Sequence, residues 1–415
     1  MADHEALLRR FQPQLQYDSN EAFFADSAAE WTDNPGNLLR RTGADGRPGE
    51  ILAAATPAEA QAQLSLGFLA SGRYESGSDV EVGDVITNPQ RDYRRQYVAL
   101  RGQPGYANRM YGRWQRDSDG LWLQYWFFYF YNDYNLAGGF GLHEGDWEMV
   151  QFRMGEAHPD LAVYAQHRYA EAAAWDEVEK PDGRPDTPVV YVARGSHASY
   201  FRAGYHETEA WYDIADGKRR TPELALEIVG DDEPSWAGWP GRWGDTQARI
   251  PGLEQPSPQG PCAHKQWREP KALLVDARHV VTKPAAPAPE VAALRVDDRM
   301  KLSFDFSSHP GAAPEKLVAT INSIDDPLPP RALTFAVEGA LRGTIETRMT
   351  LDPAHRYDVY VSATDAAGVP SESKLVLLQP TGEGDRPGPA AGILHGLARL
   401  VAAIRRRLPW RPDAR

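Results

Sequence analysis

Two carboxylates, Asp146 and Glu148, stand two residues apart in the run Gly141-Leu-His143-Glu-Gly-Asp146-Trp-Glu148-Met-Val-Gln-Phe-Arg-Met154. In a strand that spacing sends both side chains from the same face. The face continues with Val150, Phe152 and Met154, which read as core. Carboxylates in line with a core stripe are costly unless a cation or strong donors meet them. His143 lies just upstream, on the loop expected to enter the strand. Two more imidazoles follow at strand ends, His167 after Leu161-Ala-Val-Tyr-Ala-Gln166 and His197 in Gly195-Ser-His-Ala-Ser199. Strand ends and the loops after them are where sites on a rigid scaffold collect. Asp133, beside Tyr134 after the aromatic run, and Gly241-Arg-Trp-Gly-Asp245 complete the polar set.

This donor set suits a divalent ion. Carboxylate oxygens favour Ca²⁺, Mg²⁺ or Mn²⁺ over Zn²⁺, and each imidazole added moves the preference toward Mn²⁺, Fe²⁺ or Zn²⁺. The same residues allow acid–base work, with Glu148 as base and a histidine as acid through metal-bound water, which would make a hydrolase. A metal-free structural cluster is the third reading. Ser196 lacks the surroundings of a nucleophile elbow.

The elements that must position these groups are strands. Tyr111–Trp114 and Leu121–Tyr131 flank Asp117-Ser-Asp-Gly120, which is hairpin turn chemistry. Asp146–Met154, Leu161–Arg168 and Pro188–Ala193 read as further strands, and Tyr205–Asp213 as another. Upstream, a short helix, an extended stretch around Leu15 and Tyr17 and a turn at Asp18-Ser-Asn20 are expected. Thr56, Pro57 and Glu59 predict a capped helix running to Leu66. The stretch Tyr74–Arg101 reads as strand fragments. Trp236, Trp239, Trp243 and Trp267 fall in a Gly/Pro-rich stretch that reads as a long covering loop.

With 415 residues the chain is long enough for two domains, and its formal charge of −13 argues against nucleic acid, which needs a basic face. No apolar run approaches the length of a membrane helix, and no secretory signal is evident. One cysteine, Cys262, leaves no intrachain disulfide framework. A cytoplasmic, peripherally membrane-associated protein is the expectation.

The order Tyr125-Trp-Phe-Phe-Tyr-Phe-Tyr-Asn-Asp133, His143-Glu-Gly-Asp-Trp-Glu148, Tyr164-Ala-Gln-His167 and Gly195-Ser-His-Ala-Ser-Tyr200 resembles the vacuolar protein sorting-associated protein 62-like family, over roughly Leu15 to Pro270. More remotely, Gly141–Glu148 and His197-Ala198 look like the heptapeptide and later histidine of the necrosis-inducing, NLP-type cytolysins, with Gly145 in place of a histidine. That resemblance implies a β-sandwich with a divalent cation held by His143, Asp146, Glu148 and His197, Asp133 being a looser candidate and His167 a further one from its strand end. It also implies recognition of a glycan or lipid headgroup at a membrane. The toxins' secretion signal and disulfides are missing, so their toxicity is not carried over.

The expected architecture is all-β. A large sandwich with long loops spans residues 1–275, a proline-rich linker 276–289, a small sandwich 290–380 and a second linker 381–389. In the small sandwich Met300, Leu302, Phe304 and Phe306 alternate, as do Tyr357, Val359 and Val361. Leu351-x-Pro353…Tyr357…Asp365-x-x-Gly368 resembles the end of a fibronectin type III domain, tyrosine corner included, which implies a spacer or a protein-contact module. A basic amphipathic helix is expected over residues 390–412. Ile393, Leu397, Leu400, Val401, Ile404 and Leu408 share one face, and Arg399, Arg405, Arg406, Arg407 and Trp410 are set to meet an anionic membrane.

Overall fold

A computed structural model describes residues 4–378 except 43–47, 60, 72–82, 135–140, 168, 208–211, 221–223, 230–235, 248–257, 281–288, 312, 324–330 and 365–373. The expected C-terminal helix, with Arg399, Arg405, Arg406, Arg407 and Trp410, lies outside the described residues, as do the second linker and most of the first. The chain divides into two compact units, one of Met1–Tyr134, Gly139–Phe201 and Gly217–Thr282, the other of Asn135–Gly138, Arg202–Asp216 and Lys283–Arg415. Strands dominate both, so the all-β class holds.

The first unit is built around a seven-stranded sheet. Its strands run Ala225–Ile228, Arg109–Asp117, Gly120–Asn132, His143–Met154, Pro159–Gln166, Tyr169–Ala174 and Ala277–Val280, in that spatial order. The four interior pairings are antiparallel hairpin neighbours, while the two edge strands join parallel. The expected turn forms: Asp117 pairs with Gly120 around Ser118-Asp119. Ala277–Val280 closes this sheet, so the first unit runs past the boundary expected at residue 275.

The central strands are buried along nearly their whole length, because both faces of the sheet are covered. On one face a four-stranded sheet of Ser199–Tyr200, Val189–Val192, Gln14–Tyr17 and Arg219–Arg220 packs against it, with Tyr164 donating to the Val189 carbonyl at 2.9 Å. Val189–Val192 runs parallel to Gln14–Tyr17, so the N-terminal segment closes the layer that carries His197. On the other face lie the tryptophans. Trp147, Trp236, Trp239 and Trp243 pack ring against ring, and Trp267 lies on Trp126. They cover the sheet as packing, which is how aromatic edges and faces stabilise one another.

Two expectations fail locally. Residues 56–66 do not form a helix: Ala62-Gln63 pairs in parallel with Ala53-Ala54, and only Leu66–Leu69 is helical, capped by the Ser65 hydroxyl. Tertiary strand pairing overrides the local cap signal there. Among its described residues, the stretch expected as strand fragments contains one strand, Val85–Thr87, and then a helix, Tyr93–Arg101. Tyr93, Tyr97 and Leu100 are its buried side, at helical spacing.

The second unit contains a sandwich of a three-stranded sheet, Glu290–Val296, Lys301–Ser307 and Arg342–Thr350, and a four-stranded one, Arg331–Ala336, Lys316–Ser323, Tyr357–Thr364 and Lys374–Leu378. Leu302, Phe304, Phe306, Tyr357, Val359 and Val361 form its core, as their alternation required. The Tyr357 hydroxyl accepts the Asp352 N–H at 2.7 Å, which is the tyrosine corner. Tyr357→Phe keeps the ring and strands that N–H. We expect it to lower the stability of this unit by about 1–2 kcal/mol, read from urea unfolding, with no change at the site in the first unit.

Candidate functional site

His143 opens the strand that carries the carboxylates, rather than lying on a loop before it. In a regular strand residues 143 and 146 would point to opposite faces. Gly145 breaks the alternation with φ +55°, and His143 Nε2 comes to 3.8 Å from Asp146 Oδ1. Only glycine fits this corner, since a Cβ would stand 2.5 Å from the Trp243 carbonyl oxygen. That oxygen is itself held by the Trp31 indole N–H at 2.8 Å. The segment Gly241–Asp245 singled out in sequence is thus a strap along the site strand. Asp245 O accepts the Glu144 N–H, and Thr246 bridges to His143.

His197 meets Asp146 from the facing layer. Its Nδ1 lies 2.9 Å from Asp146 Oδ2, and its Nε2 lies 3.7 Å from Glu21 Oε1. The loop that presents it is tight: the His197 N–H donates to the Ala193 carbonyl and the Ala193 N–H to the Ala198 carbonyl, Gly195 has φ +74° and His197 itself φ +58°. A Cβ on Gly195 would press within 3 Å of the Asp133 and Tyr134 backbone, so this glycine seats the loop. The imidazole stacks flat on Tyr129, 3.8 Å between centroids and 2° between planes. A cation over an aromatic face is held by the ring quadrupole.

The electrostatics make His197 a fixed positive charge. Full burial alone would lower its pKa, but the Glu21 carboxylate and the Asp146 bond outweigh that and push it up to about 9. Burial likewise acts to raise Glu21. The His197 charge and the N–H groups of Gly195 and Phe23 override it and hold Glu21 below the usual carboxylate range. Glu21 Oε1 accepts from Ala22 N at 2.7 Å and Phe23 N at 2.8 Å, and Oε2 from Gly195 N at 2.7 Å. His197 donates from Nδ1 to Asp146, while its Nε2 faces the Glu21 carboxylate at 3.7 Å, an ion pair without a hydrogen bond. In this arrangement His197 stands beside Asp146 as its counter-ion.

The remaining candidates separate. His143 is 8% exposed; its Nδ1 faces the Gly145 carbonyl at 2.7 Å and donates to it, while its Nε2 turns toward Asp146. Glu148 is buried on the face of Asp146; burial raises the neighbouring Tyr129 hydroxyl, with Tyr17 and then Glu148 and Asp146 adding to it. Asp133 pairs with Arg94 at 2.5 Å. His167 sits exposed at the corner between Pro159–Gln166 and Tyr169–Ala174, with φ +55°. Among the described residues no group of three His, Cys, Asp or Glu side chains is arranged to hold a metal ion.

Two carboxylates escaped the reading of the sequence. Glu21 follows a turn expected from Asp18-Ser-Asn20, and its only signal is an acid set against Ala22-Phe-Phe24. Glu144 lies in the site motif but serves the strap. It is 1% exposed and accepts from the Tyr93 hydroxyl at 2.6 Å, Asn88 N at 3.0 Å and Asp245 N at 3.2 Å.

No family model matches the chain. Two curated proteins of Saccharomyces cerevisiae are similar to it, as the motifs implied. Vacuolar protein sorting-associated protein 62 is 27% identical over 173 residues, 32% of this chain and 37% of that protein. The putative vacuolar protein sorting-associated protein TDA6 is 28% identical over 182 residues, 32% of this chain and 38% of that one. The chain thus spans well under half the length of these relatives. Similar solved structures include the non-toxic HaNLP3 protein, at 12% identity and TM-score 0.28 over 55% of this chain and 75% of that one. The FN5 domain of Drosophila Lar matches at 16% identity and TM-score 0.18, over 24% of this chain and 99% of that one. The fold assignment rests on the strand order itself.

Two predictions follow from the geometry. Raised from 6.5 to about 9, His197 contributes stability that is fully present below pH 6.5 and lost as pH rises through about 9. Unfolding free energy should fall by about 3 kcal/mol across that window, and His197→Gln should flatten the slope. Gly145→Ala should cost about 1–3 kcal/mol, seen as a lower melting temperature, because both the positive φ and the Trp243 carbonyl oppose a Cβ.

Proposed function

We propose that the first unit is a recognition module that uses a divalent cation to bind an oxygen-rich ligand, a glycan or lipid headgroup, at a membrane surface. The supporting observation is the pair His143 Nε2 and Asp146 Oδ1, 3.8 Å apart, with His143 Nδ1 already donating to a carbonyl. An imidazole nitrogen and a carboxylate oxygen at that distance call for positive charge between them, which a divalent ion in the gap or a proton on Nε2 would supply; the metal titration below separates the two. Carboxylate and imidazole donors suit Mg²⁺, Ca²⁺ or Mn²⁺.

His143 and Asp146 would hold the ion, with Glu148 adding negative charge from the same strand face. Two protein ligands leave most of the coordination shell to water and to the ligand's hydroxyl or phosphoryl oxygens. Such an ion is weak and exchangeable, which suits binding better than hydrolysis. His197 fixes the Asp146 carboxylate by taking Oδ2, so that Oδ1 stays turned to His143. The membrane part of the reading draws on the similar yeast proteins, which are named for vacuolar protein sorting. Among the described residues no helix is long and apolar enough to cross a membrane.

Metal addition tests the reading. Millimolar Mg²⁺, Ca²⁺ or Mn²⁺ should stabilise the wild type by about 1–3 kcal/mol and raise its melting temperature. His143→Ala and Glu148→Gln, which spare the Asp146–His197 bond, should lose that gain. If wild type and variants respond alike, the His143–Asp146 pair is structural and the cation reading fails.

A further inference from the structure

One buried carboxyl of the first unit meets only neutral donors among the described residues. Asp26 is 1% exposed; its Oδ1 accepts the Ser27 N–H at 2.7 Å and its Oδ2 the Tyr106 hydroxyl at 3.0 Å. Asn108 donates in turn to that hydroxyl at 3.2 Å. The segment of residues 21–27 runs between the strand Gln14–Tyr17 and the helix Ala28–Thr32, and Asp26 bridges it to Phe128 of the sheet. Side chains hold much of the remaining backbone. The Phe24 N–H donates to the Tyr97 hydroxyl at 3.0 Å, the Ala25 N–H to that of Tyr17 at 2.9 Å and the Ala28 N–H to that of Tyr111 at 2.7 Å. Asn108 also donates to the Ala25 carbonyl at 2.7 Å.

An ionised carboxylate so enclosed is costly unless a cation pairs with it. From the helix Ala28–Thr32, Glu30 opposes a negative charge on Asp26; from the helix Tyr93–Arg101, Arg101 favours one. Arg101 is exposed, and its guanidinium lies over the Phe24 and Tyr97 rings, 4.8 Å and 5.7 Å from their centroids. Burial raises the Tyr97 and Tyr106 hydroxyls, so both stay neutral beside the carboxyl. The sheet contributes Phe128, which has no charge, and Tyr111, whose hydroxyl burial raises as well. Burial therefore decides, and pushes the Asp26 carboxyl up from its ordinary 3.8 to about 7.

We propose that Asp26 makes residues 21–27 a proton-operated latch on the charge cluster of the first unit, tightest while the carboxyl carries its proton and loosened as that proton leaves. The same segment carries Glu21, whose carboxylate faces the His197 imidazole and accepts the Gly195 N–H at 2.7 Å. When the segment opens, Glu21 goes with it, and the loop of residues 195–199 loses that anchor. An open segment frees an ordinary carboxyl, which keeps its proton only below about 3.8, whereas the closed segment keeps it up to about 7. The latch is at full strength below the first value, weakens as pH rises between the two and levels off above the second. His197 loses its contribution in a later window, from 6.5 to about 9, so the two effects are separable. The latch is independent of the His143–Asp146 cation reading.

The test is amide hydrogen exchange on the full chain from about pH 5 to about pH 8, read by mass over fragments covering residues 21–28 and 195–199. Asp26→Asn, measured at the same pH values, supplies the intrinsic pH dependence of exchange. Relative to that variant, wild-type protection of both fragments should fall by about tenfold per pH unit between about pH 5 and about pH 7, then level off. Tyr106→Phe keeps Asp26 but removes a donor to the ionised carboxylate, so the levelling should move to higher pH than in wild type. That comparison carries the test if Asp26→Asn does not fold. Parallel pH profiles in wild type and the variants overturn the proposal. Loss of protection over residues 21–28 with residues 195–199 unchanged overturns the connection to His197.

Discussion

The first unit depends on one buried charge. His197 is fully enclosed, stacked on Tyr129 and bracketed by Asp146 and Glu21, which come from different layers of the fold. Removing two carboxylates and an imidazolium from water costs several kcal/mol per ion, and their mutual attraction offsets this only when the geometry is well satisfied. The carboxylates are satisfied here: Glu21 takes three backbone N–H groups and Asp146 takes the Nδ1 proton, while the imidazole Nε2 meets Glu21 only as an ion pair at 3.7 Å. Such a cluster contributes little net stability, but any rearrangement that breaks it strands a charge. It therefore locks the N-terminal segment, the Gly195–Ser199 loop and the carboxylate strand into one arrangement.

That arrangement in turn sets what remains open. Asp146 has two oxygens, and the fold spends one on His197. The other faces His143, which reaches it only because Gly145 turns the strand through a left-handed corner against the Trp243 carbonyl. The strap of residues 241–247 and Glu144 hold that corner from outside, through Asn88, Tyr93 and Asp245. One face of the sheet carries the buried carboxylates and the other the tryptophan packing, where Arg113 lies on the Trp267 ring. The two are separated by the backbone of the same two strands, whose buried side chains alternate between them.

Much of this was legible in the residues. Alternation in Leu302–Phe306 and Tyr357–Val361 placed a second core, and the tyrosine at the strand start formed its corner. The aromatic strand, its Ser118-Asp119 turn and the paired carboxylates came out where their spacing put them. The helix Tyr93–Arg101 had a readable signal in Tyr93, Tyr97 and Leu100, at helical intervals, obscured by the adjacent arginines. The helix expected from Thr56-Pro57 had a sound local signal and lost to a parallel pairing with Ala53-Ala54, which no local rule can foresee.

What the sequence by itself determined is the need: two carboxylates on a core-facing stripe require positive charge, and histidines at strand ends are near enough in the chain's logic to supply it. Period-two patterning reports which side chains share a face, because it depends only on the local backbone. Only the tertiary structure decided which histidine answers. His197 rather than His167 reaches Asp146, and it brings Glu21 from 176 positions earlier in the chain as the second carboxylate. Such a contact depends on the packing of layers and on loop geometry at Gly195, quantities that residue types along a strand do not encode. The opening between His143 and Asp146 is what that packing leaves.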